Sequence, residues 1–480
     1  MGNTDYDAVV VGSGPNGLAA AITLARAARS VLVLEANGTP GGGVRSAELT
    51  LPGFVHDVCS AVYPLAVVSP FFSTLPLERH GLTWLQPEVQ LAHPFDTGAA
   101  GCLFRSLDET ADGLGLDATA YRRLMSPLLS QWEKIVAEVM QPLLHLPRNT
   151  RAMAHFGARA IWPATILARA WFKTGQARAL FAGIAAHSFL PLETVASAAF
   201  GVMLGMVSHV GGWPLPRGGA QSLTNALAGH LRELGGKIET NARVRDLKDL
   251  PAARAILFDV TPWQFVQIAG ERLPSAYYRQ LVQFKHAPAV FKIDYALGRP
   301  VPWIAEKCRA AGTIHLGGTL KEIADAERAV AVGKVPERPF VLVAQPSIVD
   351  RTRAPENQHT LWTYCHMPHG VKFDMSERIE GEIERFAPGF RNDILGRNIT
   401  DPVDLEKSNA NLVGGDITGG ASNLGQLIAR PILSPVPYRT PLRGVYLCSS
   451  STPPGAGVHG MCGYNAARVA LRDMFFQRTI

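Results

Sequence analysis

The stretch DAVVVGSGPNGLAAAITLARAARSVLVLE, residues 7–35, decides the fold. Its pattern predicts a short buried strand, a G-x-G-x-x-G turn at Gly12, Gly14 and Gly17, an alanine-rich helix, and a second strand that ends at Glu35. This order is typical of a dinucleotide-binding βαβ unit. The glycines let the backbone approach a pyrophosphate, whose charge the helix N-terminus stabilises. Glu35 is expected to accept hydrogen bonds from both ribose hydroxyls and to repel a 2′-phosphate.

A second glycine-rich segment, PGGGVRS at residues 40–46, follows the ribose acid. Many flavoproteins enclose the diphosphate from its other side with such a loop, so we predict FAD. Near the C-terminus, GVYLC leads into GAGVHG at residues 455–460 and a final helix, whose dipole is expected to face the isoalloxazine. In mid-chain, a helix followed by GGKIETNARV is expected to place Val244 beside the adenine.

These blocks together define the predicted cofactor site. Its residues are Gly12, Gly14, Pro15, Asn16, Gly17, Glu35, Ala36, Gly42, Gly43, Val44, Arg45, Val244, Gly457, Val458, His459 and Met461. The motif around Cys462 differs from those of flavoproteins with a thioether link, so non-covalent FAD is expected.

The same blocks, with LPGFVHD and WPLPRGGAQSL, resemble the FAD-dependent phytoene desaturase and amine oxidase superfamily, in its phytoene dehydrogenase-related branch. The matching pieces extend from one end of the chain to the other. The resemblance implies an α/β fold with a Rossmann-like FAD-binding domain of the glutathione-reductase type, interleaved with an α+β substrate domain. One departure is Gly43, which stands where many relatives carry arginine; Arg45 is the nearest substitute.

The positions of the motifs predict two interleaved domains. We expect residues 1–70, 211–265 and 440–480 to form the FAD-binding domain, and residues 71–210 and 266–439 to form the substrate domain. The 480 residues are 47% hydrophobic and 18% charged, which excludes a disordered or fibrous chain. The net charge of +6 is too diffuse to indicate nucleic acid binding. Six widely spaced cysteines, with no metal-binding spacing, predict reduced thiols, a cytoplasmic protein and no metal centre.

The segment from 148 to 212 is the predicted substrate and membrane region. Residues 148–178 carry Arg and Lys without a carboxylate, and residues 179–212 contain only Glu193. We expect residues 179–212 to form two buried apolar helices that line a cavity. The basic residues of 148–178 are expected to form either a peripheral membrane contact or a solvated basic surface. His187 and His209 here, and His459 in the C-terminal loop, are the candidate acid/base residues, although a buried histidine is commonly structural.

The resemblance and the apolar helices favour dehydrogenation of a lipophilic, polyene- or lipid-like small molecule by hydride transfer to flavin N5. Three alternatives remain open at the level of the sequence. They are an amine or amino-acid oxidase, a redox-neutral polyene isomerase, and a flavin-binding membrane-associated protein with little turnover.

Overall fold

A computed structural model of the chain describes residues 5–476. Residues 1–4 and 477–480, at the outer ends of the predicted FAD-binding segments, lie outside the described residues. The strands of the described part are β1 Tyr6–Val11, β2 Val31–Leu34, β3 Ser46–Glu48, β4 Val55–Asp57, β5 Trp84–Leu85, β6 Val89–Pro94, β7 Ala100–Leu103, β8 Leu215–Pro216, β9 Lys237–Glu239, β10 Ala253–Phe258, β11 Ala289–Leu297, β12 Ala311–Leu316, β13 Val341–Ala344, β14 His359–Met367, β15 Ile394–Thr400 and β16 Val445–Leu447.

The α-helices alternate with these strands along the chain. They are α1 Pro15–Arg26, α2 Pro64–Val67, α3 Leu107–Gly113, α4 Ala118–Leu129, α5 Trp132–Val139, α6 Thr150–Ala160, α7 Ala164–Trp171, α8 Gly175–Ala186, α9 Ala198–Gly211, α10 Gln221–Glu233, α11 Pro262–Ala269, α12 Ser275–Val282, α13 Leu320–Ala331, α14 Pro346–Val349, α15 Ser376–Phe386, α16 Pro402–Ser408, α17 Leu424–Ile428 and α18 Met461–Met474. Short 3₁₀ helices cover Phe72–Thr74, Leu77–His80, Gly115–Asp117, Leu247–Asp249, Gly270–Arg272, Glu306–Ala310, Arg351–Arg353, Phe390–Asp393 and Val413–Gly415.

A five-stranded parallel sheet in the order β16-β10-β1-β2-β9 forms the Rossmann-like unit. Its strands come from three separate stretches of the chain, because β9 and β10 follow α10 and β16 precedes the last helix. Strand β1 is buried from Ala8 to Val11, as its continuous apolar run predicts. Helix α1 packs between this sheet and α18, so the first and last helices of the described chain are neighbours.

A second, mixed sheet has seven strands in the order β15-β11-β14-β13-β12-β6-β7. All neighbours in it are antiparallel except β12 and β6, which run parallel. Helices α8 and α9 pack against each other, and α8 also contacts β6 and β7. The predicted α/β fold class, with a Rossmann-like unit of discontinuous segments and an α+β substrate region, is therefore confirmed.

Candidate active site

One cavity of about 670 Å³ lies at the carboxyl ends of the parallel strands. On one side it is lined by the loops that follow β1, β2 and β10, and on the other by side chains of the mixed sheet and of α9. Ligands of open α/β sheets bind at this edge, and the volume falls within the range usual for ligand pockets. The cavity thus joins the predicted dinucleotide site to the predicted substrate region.

The loop after β1 is held in place by the backbone of its own turn and by an acid from β10. A Cβ atom added at Gly17 would lie 2.1 Å from the carbonyl oxygen of Gly12, so only glycine fits there. The Gly17 N–H donates to Oδ2 of Asp259 over 2.9 Å. Burial raises the pKa of Asp259 to about 8, with a smaller contribution from the nearby charge of Glu35 and an opposing one from the hydrogen bond donated by Gly17. This acid is therefore mostly protonated near neutral pH, so it adds little negative charge to the loop that would hold a diphosphate.

Glu35 directly follows β2 and lines the cavity. Its Oε2 accepts hydrogen bonds from the Ser13 backbone N–H at 3.0 Å and from the Ser13 hydroxyl at 2.5 Å. Its Oε1 accepts the Asn37 N–H over 2.8 Å. The carboxylate is thereby fixed between the two loops. Oε2 already accepts two hydrogen bonds, whereas Oε1 accepts one and keeps lone-pair capacity for a further donor such as a ribose hydroxyl.

The second glycine-rich loop closes over the first one. A Cβ atom added at Gly42 would lie 3.2 Å from the Cα of Gly14, and Gly42 has a left-handed φ of 56°. Arg45 does not line the cavity; its Nε donates to the Gly42 carbonyl over 2.8 Å, and one terminal nitrogen lies 3.4 Å from the Ser408 carbonyl. In this structure Arg45 therefore braces the loop from behind.

These features fit a dinucleotide. The backbone of two glycine loops meets without side chains between them, and the cavity-lining Asn16 keeps a buried Oδ1 with no hydrogen-bond partner among the described residues. The helix that follows starts with proline at its first turn and carries no acid there, so its N-terminal dipole is free to act on phosphate.

The structure brings most of the predicted cofactor residues to the cavity wall. Those that line it are Gly12, Gly14, Pro15, Asn16, Glu35, Ala36, Gly42, Gly43, Val44, Val244, Gly457 and Val458. Gly17, Arg45, His459 and Met461 stand behind this wall, where they contact residues that line it or lie next to it in sequence.

His459 is placed as a helix-capping residue. Its ring is 1% exposed, and Nδ1 accepts the Met461 N–H over 3.0 Å at the start of α18. Burial lowers the pKa of His459 to about 4, against the opposing effect of backbone carbonyls of Ala456 and Gly455. The Nδ1 atom is therefore occupied by the amide of Met461, another of the predicted cofactor-site residues.

His209 also lies away from the cavity. Its Nε2 is 2.8 Å from the hydroxyl of Tyr121, and its Nδ1 is 3.2 Å from the Arg105 carbonyl. These bonds tie α9 to α4 and to the segment after β7, and burial lowers the pKa of His209 to about 4. The arrangement is that of a neutral histidine in a structural role.

His187 is the candidate histidine that lines the cavity. Its Nε2 lies 3.1 Å from Nε2 of His315 on β12. The other nitrogen of His315, Nδ1, is buried without a partner against Gly183, where an added Cβ would come within 2.7 Å. A buried N–H without an acceptor costs more free energy, and is rarer, than a buried ring nitrogen whose lone pair has no donor. We therefore assign the proton of neutral His315 to Nε2 and leave Nδ1 unprotonated.

This assignment fixes the tautomer of His187. Since His315 donates to its Nε2, neutral His187 carries its proton on Nδ1, which has no partner among residues 5–476. Burial lowers the pKa of His187 to about 3 and that of His315 well below its usual value. His187 thus offers an N–H donor to the cavity and is poorly suited to be a base.

The rest of the substrate-side wall is apolar and aromatic. Trp362 and Tyr364 on β14 meet edge to face with ring centroids 5.0 Å apart, and Trp213 packs edge-on against His187 at 5.6 Å. Further lining residues are Phe189, Phe200, Leu204, Leu342 and Ile417. The carboxylates among the described lining residues, Glu35 and Asp259, both follow strands of the parallel sheet.

Sequence reasoning missed Asp259, His315 and the aromatic pair of β14. A signal for Asp259 existed, because it directly follows the apolar run of β10 and the carboxyl ends of parallel strands meet at one edge. His315 lies 128 residues from its partner His187, and no local pattern connects the two.

Comparisons with known proteins extend this picture to the whole chain. A family model described as an NAD(P)-binding Rossmann-like domain matches residues 10–74. The rat (Rattus norvegicus) pyridine nucleotide-disulfide oxidoreductase domain-containing protein 2 is 27% identical, over 98% of this chain and 94% of its own. The lycopene-forming phytoene desaturase of Pseudescherichia vulneris is 25% identical, over 96% of this chain and 98% of its own.

A solved structure of wild-type putrescine oxidase bound to putrescine has a similar fold. Its TM-score is 0.62 at 18% identity, and the superposition covers 97% of this chain and 98% of that one. The likeness therefore includes both the Rossmann-like unit and the mixed sheet.

Proposed function

Since the chain belongs to the phytoene dehydrogenase and amine oxidase superfamily of FAD-dependent oxidoreductases, we propose that it dehydrogenates a lipophilic, polyene- or lipid-like small molecule. The observation that carries this proposal is one continuous cavity, which runs from the glycine loops to a wall of apolar and aromatic side chains. Non-covalently bound FAD, when present, supplies the acceptor for a hydride at N5. The chain supplies binding, orientation and exclusion of water.

The glycine loops, Glu35 and Val244 hold the dinucleotide in this proposal. The apolar side chains of α9 and the aromatic rings of β14 bind the hydrocarbon and exclude water from the reacting carbon. His187 donates its Nδ1–H to an electron-rich group of the substrate and fixes the orientation of the substrate. If the cation formed is allylic, its neighbouring C–H is acidic enough to give its proton to a weak base, namely water at the polar glycine-loop end of the open cavity, outside the apolar wall that shields the hydride-donating carbon.

Anaerobic mixing of the purified yellow protein with candidate lipophilic substrates tests this proposal. The expected result is loss of the flavin absorbance together with a product that has one more C=C bond, identified by mass spectrometry. A lipid extract of the purified protein supplies the first candidates. If no polyene or lipid bleaches the flavin while dithionite does, the proposal is wrong.

Amine oxidation is the second candidate function, and the aromatic pair Trp362 and Tyr364 is what favours it. The two rings pack edge to face on each other and leave no gap between them, so an amine would bind against a ring face at the cavity wall by a cation–π contact. No carboxylate among the described residues lines the wall opposite the parallel sheet, so a long diamine would lack a partner for its distal ammonium. Peroxide release with hydrophobic monoamines, and none with polyenes, would establish this alternative.

We also propose a peripheral contact with an anionic membrane surface through residues 148–212. Ile161, Trp162 and Val195 are 50%, 38% and 51% exposed, and backbone bonds from Ala196 and Ala198 to residues 161 and 162 hold these loops side by side. The basic residues of 148–178 have no acid among them, which suits lipid phosphates. Among residues 5–476, no helix is both long and apolar enough to cross a bilayer.

Sedimentation with vesicles of anionic and of neutral lipid tests the membrane proposal. Replacing Ile161 and Trp162 by serine is expected to reduce the fraction that sediments with anionic vesicles severalfold. The matched control is Val332→Ser, since Val332 is 65% exposed at the end of α13. Equal sedimentation of both variants and of the unchanged protein would refute the contact.

A further inference from the structure

Three side chains with metal-ligand chemistry converge on the surface away from the cavity lining. His80 ends the 3₁₀ helix Leu77–His80, while His230 and Glu233 lie in the last turn of α10. Nε2 of His80 and Nδ1 of His230 are each 3.1 Å from the same oxygen, Oε2 of Glu233. The three atoms lie within 4.8 Å of one another. We propose that His80, His230 and Glu233 bind a divalent cation of the zinc class.

The chemistry of the three ligands selects this class of metal. Two imidazoles and one carboxylate are a ligand set found around zinc, with metal–nitrogen and metal–oxygen distances of about 2.0–2.2 Å. Ligand atoms 3.1 Å apart can share one ion at that distance, whereas calcium and magnesium prefer a shell made of oxygens. The site supplies three protein ligands and leaves a fourth position for water.

The surroundings of the three ligands favour a cation. His230 and Glu233 are three residues apart on one face of α10, so the helix presents both to the same point. This point is at the C-terminal end of the helix, where the dipole favours positive charge. Arg79 lies 3.5 Å from Oε1 of Glu233 and leaves Oε2 toward the histidines; its positive charge opposes a divalent ion, but its side chain is 74% exposed and the repulsion is screened by solvent.

The backbone opposite His80 leaves room for its ring. A Cβ atom added at Gly229 would lie 3.1 Å from Nδ1 of His80, so the absence of a side chain at 229 permits the ring to reach the helix. The side chain of His80 is 18% exposed, that of His230 is 9% and that of Glu233 is 45%, so an ion can enter from solvent while the imidazoles stay ordered.

The proposed ion would connect two parts of the chain. The 3₁₀ helix Leu77–His80 packs against α10, and α10 packs against α1 of the Rossmann-like unit. Thr224 of the same helix donates to the Val44 carbonyl in the second glycine loop. A cation at the far end of α10 would therefore act as a structural clasp, and it would take no part in the redox reaction.

Zinc titration of the tag-free, EDTA-treated flavoprotein tests the site. Isothermal titration calorimetry with ZnCl₂ is expected to give one ion per chain, and zinc is expected to raise the thermal midpoint. Three variants remove one ligand each: Glu233→Gln, His230→Gln and His80→Gln. Each should weaken zinc binding at least about tenfold and abolish the rise in the thermal midpoint, because replacing a residue that only supports a metal ligand already lowers metal affinity about 10–100-fold. Flavin content should stay unchanged in all three, which also shows that they are folded.

The matched control is His145→Gln. His145 pairs with Glu138 through Nε2 at 2.6 Å and has no second histidine beside it in the described structure, so this variant should bind zinc like the unchanged protein. The proposal is overturned if the unchanged protein takes up no zinc at high micromolar concentrations. It is equally overturned if a variant that carries all three substitutions, His80→Gln, His230→Gln and Glu233→Gln, binds zinc with unchanged affinity and stoichiometry.

Discussion

The two walls of the cavity are built on different principles. The dinucleotide wall consists of backbone from loops that follow neighbouring parallel strands. Glu35, the acid that follows β2 and lines this wall, accepts hydrogen bonds from the backbone amides of Ser13 and Asn37. The substrate wall consists of side chains from α9, β12, β13 and β14, which are far apart in sequence. Changes in the first wall should therefore act on flavin affinity, and changes in the second should act on turnover with flavin retained.

The largest effect on flavin affinity is expected from Gly17→Ala. The added methyl would lie 2.1 Å from the Gly12 carbonyl oxygen, and the loop must shift to relieve this overlap. We expect the variant to purify without flavin, as measured by the ratio of flavin to protein after gel filtration. Gly157→Ala is the control, because no heavy atom lies within 4 Å of an added Cβ in that helix. Full flavin in Gly17→Ala would contradict the described loop.

Glu35→Gln should have the next largest effect. The substitution removes the charge that accepts hydrogen bonds from Ser13 and Asn37 and that is proposed to accept those of the ribose. Flavin affinity should fall by about 1–3 kcal/mol, measured by fluorescence titration of the apoprotein. Glu239→Gln is the control, since Glu239 ends the adjacent strand β9 with an exposed side chain. Equal affinities of the two variants would remove Glu35 from the site.

Asp259→Asn should change how stability depends on pH. The native carboxyl keeps its proton up to about pH 8, whereas the unfolded chain releases it near 3.8. The folded state binds more protons between these values, so its stability falls as pH rises, by up to about 1.4 kcal/mol per pH unit. The thermal midpoint of Asp259→Asn should exceed that of the unchanged protein by a margin that grows up to pH 8. A constant margin would show that Asp259 is ionised in the folded chain.

The same contrast explains what the sequence could predict. The Rossmann-like strand pattern, Glu35 and the glycine loops are contiguous motifs, and neighbouring backbone alone determines their geometry. The sequence singled out His187 as a candidate site residue, and His187 lines the cavity. Its tautomer, however, depends on His315 and on the close packing of His315 against Gly183, which only the tertiary fold brings together. His459 was predicted to face the flavin because its loop does. Its ring instead turns back to cap α18, a choice of rotamer that no motif encodes.

The smallest effect on flavin affinity is expected from His187→Phe, and this variant tests the contrast most sharply. His187 lines the substrate wall, and its described hydrogen bond goes to His315 in the mixed sheet, so flavin affinity should change by less than about 0.5 kcal/mol. Turnover of the lipophilic substrate should nevertheless fall about tenfold or more, because the Nδ1–H donor is lost. His187→Asn restores a donor of similar reach and is expected to recover part of the rate.

The pH profile separates this donor from a base. The pKa of His187 is lowered to about 3, so the ring stays neutral above pH 4 and its donor is present throughout the assay range. The rate of flavin reduction in the unchanged protein should therefore show no titration near pH 6.5, and the His187→Asn variant should follow a parallel profile. If the unchanged protein instead loses activity as pH falls through 6.5 and the variant does not, His187 acts as a base. The tautomer assigned from His315 would then be reversed, and the substrate wall would contribute proton transfer as well as orientation.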